Sequence, residues 1–216
     1  MYIVIIGIAG LIFFAYNNLH KYDDSLVIIP MMTRNAYFSM GFYNYYSGDC
    51  DDRCLHVKIV NDRPLREESN EQLVNVLKTA GYNTMTDFDI TKELDKNPKF
   101  LLKYKKIILL HSEYVTDSFY HAITTHPKVI YLSPNSLYAK VSLDGNVMTL
   151  VRGHGYPDKN ISNGFDWKYD NTHPPEYDKI CKDWSFIKIE NGYQINCNPE
   201  EQIYNRMEII KRIGEL

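Results

Sequence analysis

The chain alternates short apolar runs with segments of helical periodicity, and this alternation limits its possible folds more than any other feature. Strands are predicted at 26–32, 55–60, 83–88, 106–110 and 129–133. A helix is predicted from Ser69 to Gly81, because a capping-box sequence opens it, apolar residues recur every three or four positions, and a glycine follows. Strands and helices that alternate through short links form right-handed crossovers, which predict a mainly parallel α/β sheet flanked by helices.

The pattern changes after residue 137, where two β-hairpins and a closing helix are predicted. The hairpins span 138–151 and 184–197, around the turn sequences Asp144-Gly145 and Asn191-Gly192. Asn198-Pro199 is typical of a helix start. The predicted organisation is therefore a linker at 20–25 and one α/β domain at 26–216, with a core at 26–152 and an extension at 153–216.

The N-terminal segment has the composition of a transmembrane helix. Residues 2–16 contain no charge, and nine of these fifteen are Ile, Leu, Val or Phe. As a helix, residues 1–19 span about 28 Å, close to the ~30 Å of a bilayer core. A cleaved signal peptide is an alternative, but the segment lacks a basic start and a small-residue cleavage site; a buried strand is another. We predict an uncleaved single-pass anchor in the cell membrane.

The four cysteines indicate on which side of the membrane the domain lies. An even number of cysteines beside an export segment indicates two disulfides and an oxidising compartment. Cys50 with Cys54 and Cys181 with Cys197 is the natural pairing, although four cysteines allow three. Zinc binding is the alternative, but the spacing of the first pair is a poor match. The prediction is an extracytoplasmic domain, with Asn160 a potential glycosylation site.

The overall charge excludes one class of partner. The net charge is −3, so the chain has no basic surplus for binding phosphates, and no nucleic-acid partner is predicted. The partners predicted instead are the membrane, through the N-terminal helix, and proteins of a membrane complex.

A candidate site follows the predicted strand 106–110, where the sequence reads His111-Ser112-Glu113. Ligands of open α/β sheets bind beyond the carboxyl ends of the strands. A histidine and a carboxylate there can bind a metal or transfer a proton. The alternative is structural, with both side chains hydrogen-bonded to loop backbone.

Several motifs occur in an order that resembles a known family. They are Tyr43-Asn44, Asn61-Asp62-Arg63-Pro64, Ala80-Gly81-Tyr82, Thr86-Asp87-Phe88-Asp89, the stretch 111–116, and Ser133-Pro134-Asn135. Over about 26–152 the chain resembles the C-terminal region of the N,N-dimethylformamidase large subunit, and small uncharacterised archaeal proteins look similar. The resemblance implies a class I glutamine amidotransferase-like, flavodoxin-like fold.

The resemblance also implies a metal site. The family holds iron with two tyrosines and a glutamate, and by position Glu113 matches the glutamate, Tyr43 one tyrosine, and His111 the family histidine. The second tyrosine corresponds to Leu65, which cannot bind a metal. Candidate replacements are Tyr45, Tyr46 and His154. If the site is functional, the expected cofactor is one iron or zinc ion.

Two other chemistries are less well matched. Glutamine amidotransferases place a nucleophilic Cys at a strand-to-helix turn, but no Cys occurs here, and Ser112 lacks the flanking glycines of a serine-hydrolase turn. Asp49, Asp51 and Asp52 do not have the spacing of a calcium loop and fit a solvated acidic segment.

Two functions remain after this comparison. The first, which the sequence favours, is a membrane-anchored, extracytoplasmic, non-catalytic binding or accessory protein. It keeps the scaffold without its active site, as the missing nucleophile, Leu65 and the predicted anchor indicate. The second is a metal-dependent amidohydrolase acting on small amides, in which Glu113 and Tyr43 bind the metal and His111 transfers protons. The amidohydrolase requires these three side chains to converge, whereas a binding protein predicts an exposed aromatic patch near residues 37–46.

Overall fold

A six-stranded sheet forms the centre of the protein in the computed structural model, which describes residues 22, 24–38, 40–60, 68–170, 178–198 and 203–216. In spatial order its strands are β3 (Asn83–Thr86), β1 (Ser25–Ile29), β4 (Lys106–Leu109), β6 (Val129–Tyr131), β10 (Gly192–Ile195) and β9 (Phe186–Ile189). All neighbours are parallel except β10 and β9, which form an antiparallel hairpin.

Helices cover both faces of this sheet. They are α1 (Met31–Tyr37), α2 (Phe42–Tyr46), α3 (Glu68–Thr79), α4 (Asp87–Lys96), α5 (Asp117–Thr125) and α6 (Met207–Glu215), with 3-10 turns at Asp52–Leu55, Phe100–Lys103 and Ile203–Asn205. Alternate residues of a strand point to opposite faces. Leu26 and Ile28 therefore pack with residues of α4 and α5, whereas Val27 packs with α3 and α6.

A second, four-stranded sheet packs beside the first. Its order is β2 (His56–Lys58), β8 (Val147–Arg152), β7 (Ala139–Asp144) and β5 (Tyr114–Val115), and only the β5–β7 pair is parallel. Val141, Met148 and Leu150 point into a third apolar cluster with Phe42 and Tyr114. This cluster joins the second sheet to α1 and α2, the helices nearest the candidate site.

The mixed α/β class and both hairpins agree with the predictions, but several elements differ. The predicted strand 55–60 is β2 of the second sheet. The predicted strand 83–88 ends at Thr86, whose hydroxyl accepts a hydrogen bond from the Asp89 amide and begins α4. Helix α3 begins at Glu68, so Ser69 lies inside the helix rather than at its cap. The segment 35–54, for which no strand or helix is predicted, contains the end of α1 and all of α2.

The structure confirms both predicted disulfides. Cys50 is bonded to Cys54 and Cys181 to Cys197, and none of the described cysteines is free. The first closes a short turn before β2, and the second joins the segment before β9 to the end of β10.

The predicted membrane localisation requires correction. Among the residues that the structure describes, no helix is long and apolar enough to cross a membrane. The longest of them, α3, has 12 residues and spans about 18 Å, against the ~30 Å of a hydrocarbon core. A single-pass anchor is therefore not supported, and residues 1–19, where it was predicted, lie outside the described part of the chain.

Candidate functional site

The site lies at the point where the strand order of the central sheet reverses. From β1 the chain passes to β3 on one side and then to β4 on the other. The connections that leave the carboxyl ends of β1 and β4 therefore diverge and leave a crevice between them, which is where ligands of such sheets bind. Helix α1 follows β1, and His111 to Glu113 follow β4.

Glu113 follows β4 at this switch point and is almost fully buried, with 4% of its surface exposed. The Tyr37 hydroxyl donates a hydrogen bond of 2.5 Å to Glu113 Oε2. His111 Nε2 lies 3.5 Å from the same oxygen. The buried carboxyl group therefore accepts a hydrogen bond from the Tyr37 phenol and is in contact with the His111 imidazole.

The backbone around Glu113 is held from two sides. The Thr33 hydroxyl accepts hydrogen bonds from the Glu113 amide at 2.8 Å and the Tyr114 amide at 3.1 Å. The Glu113 carbonyl accepts from the Tyr138 and Ala139 amides at 2.9 and 3.0 Å. Helix α1 and strand β7 therefore fix the direction of the carboxylate, which a loop alone would leave free.

Helix α1 is itself fixed by a buried acid. The Asp87 carboxylate accepts from the amides of Met31 and Met32 at 3.0 and 2.9 Å, and from its neighbour Phe88 at 2.9 Å. Burial raises the pKa of Asp87 to about 7, although these three hydrogen bonds act in the opposite direction. The acid satisfies amides of the first turn of α1, which carries Thr33 and Tyr37 to Glu113.

Further phenols surround the carboxylate. Burial is the main cause that raises the pKa of Tyr114 well above its usual range, and Glu113, Tyr37 and Tyr46 add to it. Burial likewise raises the pKa of Tyr46, with smaller contributions from Tyr138 and Glu113. The Tyr46 hydroxyl oxygen is buried and has no hydrogen-bond partner among the described residues. The site therefore contains a neutral, unsatisfied phenol close to an acid.

The other predicted residues lie at the rim of the site. Tyr43 is 58% exposed, and its ring stacks on Tyr37 at 5.7 Å between centroids. Tyr45 packs against Tyr46 at 5.7 Å, and His154 lies over Tyr138 at 6.3 Å. The structure thus brings His111 and Glu113 into contact and places Tyr43 one ring away from the carboxylate.

Sequence reasoning did not single out Tyr37. The contact between Tyr37 and Glu113 joins residues 76 positions apart, so no local pattern around either residue reports it. The sequence does place Tyr37 only a few residues after the end of β1. Segments that follow β1 and β4 become neighbours at the switch point, but this is known only once the strand order is known. Leu65 and the segment 61–64 lie outside the described residues.

Ser112 does not have the environment of a nucleophile. It is fully buried, and its hydroxyl has no hydrogen-bond partner among the described residues. Its backbone φ angle lies outside the positive region. A serine nucleophile needs an exposed hydroxyl on a strained turn with an adjacent base. A serine-hydrolase mechanism therefore has no support here.

Within the described ranges, no group of three or more His, Cys, Asp or Glu side chains is arranged to bind a metal ion. In the acidic loop, Asp51 is paired with Arg53 at 2.8 Å and Asp49 accepts from Ser47 at 2.8 Å. A metal at the Glu113 site would consequently need tyrosine oxygens as ligands.

Comparison with known proteins assigns the chain to a family. Residues 7–211 match the model of the family described as N,N-dimethylformamidase beta subunit-like, C-terminal. The chain belongs to this family. The match extends well beyond the predicted range 26–152 and includes the hairpin β9–β10 and most of α6. No curated protein matches the chain significantly.

Proposed function

We propose that this protein is a metal-dependent amidohydrolase that acts on small amides. The observation that supports it best is the cluster of Tyr37, His111 and Glu113 in the crevice where the strand order reverses. A carboxylate, a phenol and an imidazole meet there in a family named for an enzyme that cleaves an amide.

The residues present fit a hard metal ion. Carboxylate and phenolate oxygens are hard donors, which favour iron over soft-ligand metals. Glu113 and Tyr37 would bind the ion, and Tyr46 would supply the third oxygen in place of the tyrosine that Leu65 replaces. The unsatisfied Tyr46 hydroxyl supports this assignment, because a buried phenol without a partner is costly and a bound cation would favour its deprotonated form.

The bound metal would act as a Lewis acid that activates water and polarises the amide carbonyl. The protein's own residues orient and transfer protons. Net hydrolysis adds water across the C–N bond, which gives a carboxylic acid and an amine. His111, whose Nε2 lies 3.5 Å from Glu113 Oε2, would take a proton from the attacking water and return it to the nitrogen of the departing amine.

We also propose that the domain has the class I glutamine amidotransferase-like form of the α/β fold. The parallel order β3-β1-β4-β6 with helices on both faces supports this. The hairpin β9–β10 extends that sheet through a parallel pairing with β6. Fold alone does not assign an activity, so the function depends on the site.

Elemental mass spectrometry of the purified protein tests the metal site. We expect near-stoichiometric iron in the wild type and its loss in Glu113→Gln and Tyr37→Phe. Tyr120→Phe is the matched control, because Tyr120 stacks on Phe165 away from the site and should leave the iron content unchanged. Wild-type protein that binds neither iron nor zinc after loading would refute the proposal.

Amide hydrolysis is then measured as release of the amine from small N-alkylated formamides and acetamides. We expect activity that requires the metal and is lost in His111→Ala, with the metal still bound. Loss of metal in His111→Ala would instead make the histidine a ligand and contradict its role in proton transfer.

A second candidate is a non-catalytic binding protein. Tyr43, 58% exposed, stacks on Tyr37, which is 41% exposed, and Met40, three residues before Tyr43 in the chain, is 60% exposed. Exposed aromatic and methionine side chains are typical of contact surfaces. A metal-free, inactive wild type that loses a protein partner on Tyr43→Ala and Met40→Ser substitution would favour this function.

A further inference from the structure

The loop that follows β8 forms a wall beside the Tyr46 phenol. Gly153 directly follows β8. Its amide donates to the Tyr156 carbonyl and its carbonyl accepts from the Tyr156 amide, both at 3.0 Å. The Tyr156 ring packs edge-on against Tyr45 at 5.7 Å. The backbone at 153–156 is therefore held against helix α2, and it has little freedom to move away from the phenol.

Gly153 has no side chain at the point where this wall meets Tyr46. A Cβ built on Gly153 would lie 2.5 Å from the Tyr46 hydroxyl oxygen and 3.3 Å from the Ala139 Cβ. Real Cβ atoms do not approach an oxygen so closely, so an added methyl group would push the phenol or the loop. The φ angle of Gly153 is outside the positive region, so space rather than backbone conformation requires glycine here.

We propose that Gly153 is a positioning residue that leaves the space in which the Tyr46 phenol reaches the Glu113 site. This inference rests on the proposed function, in which Tyr46 supplies an oxygen to the metal. The hydroxyl is buried without a partner among the described residues. Ala139, the other near neighbour of a Cβ at Gly153, donates its amide hydrogen to the Glu113 carbonyl. A larger residue at 153 displaces the phenol without touching Glu113 or Tyr37.

A double-mutant cycle in the full-length, metal-free protein tests the contact. Gly153→Ala should lower the folding equilibrium constant by about tenfold or more, as overpacking of a filled site does. Tyr46→Phe removes the oxygen that the methyl group would strike. The double variant should therefore fold within about threefold of Tyr46→Phe alone.

Gly164→Ala is the matched control for this rescue. Its Cβ would meet backbone atoms, the Arg152 carbonyl oxygen at 2.5 Å and the Lys140 nitrogen at 2.6 Å, and would not meet Tyr46. Tyr46→Phe should leave the defect of Gly164→Ala unchanged. Equal rescue of both glycine variants, or no rescue of Gly153→Ala, would overturn the inference.

Absorption of the iron-loaded protein separates positioning from general destabilisation. Gly153→Ala should weaken the phenolate-to-iron absorption as Tyr46→Phe does. An unchanged absorption in Gly153→Ala would overturn the positioning role. A wild type that binds no metal would refute the proposed function, while the metal-free cycle would still decide the contact.

Discussion

Thr33 offers the sharpest test of how the fold holds its site. Its buried hydroxyl accepts hydrogen bonds from two amides, those of Glu113 and Tyr114, about 80 positions along the chain. Thr33→Val keeps the shape of the side chain and removes the acceptor. Each buried amide left unsatisfied costs about 1–3 kcal/mol, so the free energy of unfolding should fall by about 2–6 kcal/mol.

Thr91→Val is the matched control. Thr91 is similarly buried, but its hydroxyl only donates to the Asp87 carbonyl one turn back in its own helix. Such a bond contributes little to helix stability. We therefore expect Thr91→Val to lower the free energy of unfolding by less than about 1 kcal/mol. Thr33→Ser retains the acceptor and should recover most of the stability that Thr33→Val loses.

Urea unfolding followed by tryptophan fluorescence measures all three variants. If Thr33→Val and Thr91→Val lose the same stability within about 0.5 kcal/mol, the two amides do not depend on Thr33 and the reasoning fails. A second readout is iron retention. Thr33→Val should release iron more readily than Thr33→Ser, because the amides next to the carboxylate lose their support.

Three further predictions concern stability. Lys106→Met should lower the free energy of unfolding by about 3 kcal/mol in urea, because the buried ammonium donates hydrogen bonds to two carbonyls at the end of α6. Lys105→Met, which removes an exposed ion pair, should have a much smaller effect. Loss of the Cys181–Cys197 bond by double substitution with alanine should cost about 3 kcal/mol, measured by thermal unfolding, for a cross-link 16 residues apart. The pKa of Asp87 is about 7 in the folded protein, against 3.8 in the unfolded chain. The free energy of unfolding should therefore fall by up to about 4 kcal/mol as the pH rises between these values. Asp87→Asn should flatten this dependence, measured by urea unfolding at pH 4 to 8.

The sequence pattern predicted strands β1, β4 and β6 of the central sheet because burial on both faces makes these three strands predominantly apolar runs. Ile107, Ile108 and Leu109 are fully buried, and such runs are typical of parallel strands. The pattern also located the two hairpins, since their turn sequences act locally. It did not predict the second sheet, because β2 pairs with β8 some 90 residues later and carries only one buried side chain, Val57.

The sequence predicts His111 and Glu113 of the site but not Tyr37. The reason is again a contact between distant parts of the chain. His111 and Glu113 follow a strand that the sequence shows clearly. Helix α1 has no side-chain cap of its own and only seven residues, so no start signal marks it. Its first turn is instead satisfied by Asp87, more than 50 positions away. Because the helix depends on a distant acid, the sequence around Tyr37 carries no local helix signal, and its contact with Glu113 cannot be predicted from it.

The distribution of satisfied and unsatisfied polar groups is the strongest argument that the crevice is used. Buried polar groups cost stability unless they are hydrogen-bonded, and Thr33, Asp87 and Glu113 all have partners. The Ser112 hydroxyl, next to Glu113, and the Tyr46 hydroxyl have none among the described residues. Phenylalanine at position 46 would avoid the cost of the buried phenol, so a stable fold by itself does not require its oxygen. Local rules are broken most often where function requires it, and a ligand that binds the Tyr46 oxygen beside Glu113 would supply that requirement.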